Sequence, residues 1–143
     1  MTLSIEQRVQ NGIDLLDQLG PKDWRQKVIL KDFNIAHGCK CVLGFVFGNG
    51  EEIETEFDGL KRRRNGFGIG QDVLGCYPDD NGFDAYGPAD LMPNDEYRRL
   101  IDIEYAELQA EWVRRLSETG DAPVAVAQPS CRVRRSKPNC VTI

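Results

Sequence analysis

A chain of 143 residues can bury a core without metal or disulfide staples, and its 18 Lys+Arg against 23 Asp+Glu leave a net charge of −5. The charge is uneven: residues 1–120 hold 14 basic against 22 acidic side chains, and residues 121–143 hold four against one. An acidic body argues against duplex nucleic acid as a partner, since neutralising phosphates takes a basic face, and no apolar run is long enough to span a bilayer.

The opening MTLSIEQRVQ is polar and lacks the basic start and apolar run of a signal peptide, which implies a cytoplasmic protein. In that compartment the five cysteines are expected to be reduced. Ile5, Val9, Ile13, Leu16 and Leu19 recur at three- and four-residue steps and predict a helix over Ser4–Leu19. Ser4 with Gln7 fits a capping box, and Gly20-Pro21 stops the helix. Gly12 inside it points to a close packing contact. Over 22–35 the pattern is a short helical turn and an extended connection, with Trp24, Val28, Leu30, Phe33 and Ile35 as core candidates.

Cys41–Phe47, CVLGFVF, is the most apolar stretch, and periodicity alone leaves helix and strand open. Gly48-Asn49-Gly50 has the composition of a hairpin turn, and Glu52–Phe57 alternates as a strand does. The basic run Lys61–Arg64 then leads into Asn65-Gly66-Phe67-Gly68-Ile69-Gly70 and a short helix near Gln71–Leu74. A Gly/Pro/Asp-rich loop runs from Gly75 to Pro93. Asn94 is positioned to cap a long helix reaching about Leu116. On it Tyr97, Ile101, Tyr105, Leu108, Trp112 and Leu116 form one stripe, with Glu104, Glu107, Glu111 and Arg114 off it. The expected organisation is one mainly α-helical domain over 1–120, an inserted segment at about 49–65 with a minor β-hairpin, and a flexible basic tail over 121–143.

Three segments together carry a resemblance. Arg8, Val9, Gly12, Leu15, Leu16 and Asp17; Trp24; Cys41, Val42, Leu43, Gly44, Phe47 and Gly48; and Gly82, Phe83, Asp84 and Ala85 follow one another before the long helix. In this order they resemble a group of small actinobacteriophage proteins, over most of residues 5–116. Phe45 stands where such proteins often have glutamine, and Gly48–Asn65 looks like an insertion. The resemblance supplies no catalytic residue. It implies an accessory role in a bacterial host cytoplasm, and a buried helix beginning at Cys41.

Three stretches carry candidate chemistry. His37, Cys39 and Cys41, in HGCKC, could with Cys76 make a four-ligand zinc site, since zinc takes imidazole and thiolate in a tetrahedron. The C-x-C spacing lacks a second pair, so a turn leading into a buried element is the heavier reading, and no cofactor is expected. Lys61–Gly70, KRRRNGFGIG, could seat a phosphate on exposed backbone N–H groups. It has neither the P-loop ending nor the dinucleotide spacing, and a solvated basic turn is the plain alternative. Cys140-Val141-Thr142-Ile143 has the form of a prenylation box, which the phage resemblance makes a coincidence. No pair of carboxylates stands in a context that separates general acid from general base. The expectation is therefore a non-enzymatic protein that binds a host or phage protein and uses no membrane. The contact residues expected are Glu52, Glu54, Glu56, Lys61, Arg62, Arg63 and Arg64, together with exposed residues of the last helix. The sequence leaves the oligomeric state open.

Overall fold

A computed structural model describes residues 3–88 and 91–118. The tail over 121–143 and its Cys140-Val141-Thr142-Ile143 ending lie outside these residues. The element order is α1 (Ile5–Leu19), α2 (Trp24–Lys27), a 3₁₀ turn (Leu30–Asp32), α3 (Val42–Gly48), β1 (Ile53–Phe57), β2 (Leu60–Arg64), α4 (Gly66–Leu74) and α5 (Asn94–Ser117). The architecture is mainly α, with one antiparallel two-stranded hairpin.

Helix α1 starts where Ser4 Oγ accepts the Gln7 N–H at 3.1 Å. The reciprocal half of the capping box is missing, because the Gln7 amide instead donates to Asn11 Oδ1 at 2.8 Å. The buried stripe of α1 is Arg8, Val9, Gly12, Ile13 and Leu16, with Leu19 exposed at its end. Gly12 has the predicted close contact. A Cβ there would overlap the Asn81 carbonyl oxygen and lie 3.0 Å from the Trp112 ring. Trp112 stacks on Phe83 with ring centroids 5.7 Å apart and takes Trp24 edge-on at 6.4 Å. These rings, with Leu16, Phe33, Ile35, Leu43, Phe45, Tyr105 and Leu108, fill the centre of the core. Burial of this kind contributes roughly 1.5–3 kcal/mol per large apolar side chain.

CVLGFVF is a helix. Cys41 is its N-cap, and its Sγ accepts the Gly44 N–H at 3.4 Å. Gly48-Asn49-Gly50 ends that helix and turns no hairpin: Asn49, at φ 53°, takes the left-handed cap conformation. The hairpin turn is Asp58-Gly59, both at positive φ, which suits a two-residue turn between twisted strands. The partner of the acidic strand is thus the basic run, registered Ile53↔Arg64, Thr55↔Arg62 and Phe57↔Leu60. Helix α4 begins at Gly66, earlier than its sequence pattern suggests, and Asn94 is the first residue of α5, following an N-cap at Pro93.

The loop between α4 and α5 is held as firmly as a regular element. Arg8 is 2% exposed. Its Nε donates to the Asp79 carbonyl at 2.8 Å and its Nη2 to the Asp84 carbonyl at 2.7 Å, while Nη2 lies 2.9 Å from Glu104 Oε2. Glu104 in turn accepts the N–H groups of Tyr86 and Gly87 at 2.6 and 3.1 Å. Trp112 Nε1 donates to the Gly82 carbonyl at 2.7 Å, and the Tyr105 hydroxyl donates to Asp84 Oδ1. Burial pushes the Tyr105 hydroxyl pKa up, and the Asp84 carboxylate adds to that shift. Across the core, Gln109 accepts from Ile35 N and donates to the Phe33 carbonyl, both at 2.8 Å. One side chain thereby pairs with an extended backbone that has no neighbouring strand among the described residues.

Candidate interaction surface

The seven predicted contact residues fall in the hairpin and the residue before it. Alternation along each strand places Glu54, Glu56, Lys61 and Arg63 on one face, and Thr55, Arg62 and Arg64 on the other. Lys61 Nζ stands 3.8 Å from Glu54 Oε1, and Arg63 Nε stands 3.8 Å from Glu52 Oε2. Lys61 and Arg63 are 72% and 66% exposed, and such pairs contribute at most about 1 kcal/mol each. Arg64 behaves differently. Its Nη2 lies 2.7 Å from Asp72 Oδ2 and ties the base of the hairpin to α4. Arg62 has no acidic partner among the described residues, and its carbonyl accepts the Thr55 hydroxyl at 3.2 Å. Thr55, Glu56, Arg62, Arg64 and Asp72 line a cleft of about 410 Å³. Both strand edges lack a third strand among the described residues.

The sequence treats KRRRNGFGIG as one loop, and the structure divides it between β2 and α4. Two of its three glycines, Gly66 and Gly70, serve packing. Gly66 meets Gly44, where a Cβ would overlap the Leu43 carbonyl oxygen. A Cβ on Gly48 would stand 2.9 Å from Gly66 N, and one on Gly70 2.8 Å from the Phe47 ring. Small residues thus let α3 and α4 cross at backbone contact. The first-turn amides of α4 are also engaged. Phe67 N donates to the Gly38 carbonyl at 3.3 Å, Gly68 N to Asn65 Oδ1 at 2.9 Å, and Ile69 N to the Asn65 carbonyl at 3.2 Å. A phosphate arriving here would have to displace these bonds.

HGCKC is the turn into α3. His37 Nδ1 accepts the Cys39 N–H at 3.2 Å, and the His37 carbonyl accepts from Lys40 and Cys41. Cys41 is fully buried and its thiol faces the Gly38 carbonyl at 3.8 Å. Cys41 and Cys76 are free thiols, and burial raises the Cys76 pKa. Among the described residues no group of three or more His, Cys, Asp or Glu side chains is placed to hold a metal ion.

A second cleft, of about 420 Å³, runs between α1 and α5 and is lined by Ile5, Glu6, Glu107, Ala110, Glu111 and Arg114. Arg114 chelates Glu111 through Nε at 2.9 Å and Nη2 at 2.6 Å, which holds the Glu111 carboxyl below its usual pKa. Leu100 and Ile103 of α5 are exposed nearby on the chain.

Sequence reading missed several polar residues that matter. Arg8 sits three residues after Ile5, inside the apolar stripe, and that position is the signal that it is buried. Glu104 and Glu111 were placed off the stripe of α5, yet both are largely covered through their arginines. Asp72, which fixes Arg64, carries no local signal, because its partner comes from another element. Compared with known protein families, with curated proteins and with solved structures, the chain matches none.

Proposed function

We propose that this chain is a non-enzymatic accessory protein, of the actinobacteriophage kind its sequence resembles, which binds a host or phage protein and alters its action. The observation that carries the reading is the hairpin. It is exposed over Leu60, Lys61, Arg62 and Arg63 of β2 among the described residues, and dense in charge of both signs. A two-stranded hairpin contributes little stability alone, so a charged one held out from a well-packed domain is suited to contact. The polar groups buried elsewhere support the same reading, since Arg8, Glu104, Asp84, Tyr105 and Gln109 spend their bonds on the fold. No described helix is long and apolar enough to cross a membrane. A host cytoplasm, no resident cofactor and no catalytic activity belong to the proposal.

The test is a pull-down with the full chain from nuclease-treated actinobacterial lysate, beside a variant carrying Glu54→Lys, Arg62→Glu and Arg63→Glu. A stoichiometric protein held by the native chain and lost by the folded variant is the expected result. Turnover of any substrate that depends on Cys39 or Cys41 would overturn the reading.

A further inference from the structure

The two edges of the hairpin are not equivalent. Register fixes which backbone groups point outward. Phe57 and Leu60 flank a two-residue turn and are therefore a hydrogen-bonded pair, as are Thr55↔Arg62 and Ile53↔Arg64. The intervening pairs, Glu56↔Lys61 and Glu54↔Arg63, turn their N–H and C=O groups away from the partner strand. On the β2 edge the outward groups belong to Lys61 and Arg63, within a run of four consecutive cations. On the β1 edge they belong to Glu54 and Glu56, with Glu52 alongside.

We infer that the β2 edge takes up an extended acidic segment of a protein partner as a third strand. This rests on the hairpin being the contact surface. Backbone pairing with Lys61 and Arg63 would supply affinity, and Lys61, Arg62 and Arg63 would select for carboxylates on the incoming strand. The cations can respond: the Lys61–Glu54 pair is long and exposed, the Arg63–Glu52 pair is long and its arginine is exposed, and Arg62 has no acidic partner among the described residues. The cleft beside Arg62 and Arg64 gives room for an incoming side chain, although Glu56 and Asp72 on its wall require that this side chain reach the guanidinium groups directly. Charge disfavours symmetric pairing of two copies, since β1 on β1 sets Glu against Glu and β2 on β2 sets cation against cation. Pairing β1 of one copy on β2 of the next is complementary, but it is head-to-tail and would propagate.

The experiment uses the full chain labelled with ¹⁵N and a short peptide of alternating glutamate and valine, with a lysine–valine peptide as control. The expected result is that the acidic peptide shifts the Lys61 and Arg63 amide signals, more weakly as salt rises, and the basic peptide does not. Arg63→Pro removes an outward N–H and leaves the ladder to β1 intact, so retained cross-strand contacts between Thr55 and Arg62 would show a folded hairpin. Measured against Arg63→Ala, which removes the same cation but keeps the N–H, it should weaken binding about fivefold to tenfold, the effect of one backbone hydrogen bond. Equal binding of the basic peptide, or full affinity in folded Arg63→Pro, would overturn the inference. So would concentration-dependent multimers of the chain that Arg63→Pro abolishes, because the occupant would then be a second copy. A natural partner lost on Glu54→Lys but kept by Arg63→Pro would sink this edge assignment alone and leave the hairpin as the contact surface.

Discussion

The loop over 75–88 and the hairpin over 53–64 invert the usual expectation. The loop has no regular secondary structure, yet Arg8, Glu104, Tyr105 and Trp112 hold it by side-chain bonds to its backbone and to Asp84, and Phe83 from it is fully buried. The hairpin has regular strands and a well-formed turn, yet its second strand is almost entirely exposed. Regularity of backbone is therefore a poor guide to what holds this fold together. Buried polar groups with complete partners make the loop part of the core, while the ladder of the hairpin satisfies only itself.

The largest effect expected is at Arg8. Arg8→Ala leaves the largely covered Glu104 carboxylate without its cation and the Asp79 and Asp84 carbonyls without their donor. Urea unfolding should show a loss of about 3–5 kcal/mol. A loss below ~1 kcal/mol would mean that the loop is held by packing alone. Gly12→Ala comes next. Its Cβ meets the Asn81 backbone and two rings, so overpacking should cost about 1–3 kcal/mol and perturb the Trp112 fluorescence. A silent Gly12→Ala would show that the loop yields easily.

Acid provides a smaller probe. The Arg114 hydrogen bonds lower the Glu111 pKa in the folded chain. The resulting stability is full above the ordinary carboxylate range, near about 4.3, and is lost as pH falls through the lower folded value. The stability difference between native chain and Arg114→Gln should thus be present at neutral pH and shrink under acid. A difference that grows under acid would contradict the assignment. The smallest effect belongs to the hairpin: Lys61→Ala or Arg63→Ala should change stability by no more than about 1 kcal/mol, consistent with long ion pairs whose cations are exposed. A loss of several kcal/mol there would erase the contrast between the two regions.

The comparison also marks how far the sequence could be read. The stripes of α1 and α5, the core role of Trp24, and the packing role of Gly12 are local periodicities, and they were legible because one face of a helix must be apolar to be buried. The hairpin within the segment at about 49–65 was legible as a pattern, but its turn and its partner strand were left open. Gly48-Asn49-Gly50 and Asp58-Gly59 both have turn composition, and only the pairing of 53–57 with 60–64 decides between them. KRRRNGFGIG reads as a basic, glycine-rich loop for the same reason: a glycine exposed for a ligand and one covered by another helix look alike in one dimension.

What the sequence determined by itself is the mainly helical class, the apolar stripes of α1 and α5, and the concentration of charge in residues 51–64. What only the tertiary structure decided is which polar residues are buried, which glycines are crossing points, and which edge of the hairpin carries which charge. The physical reason is range. Periodicity and capping act within a few residues, whereas Arg8 meets Glu104, Gly44 meets Gly66 and Ile53 meets Arg64 only after the chain has folded.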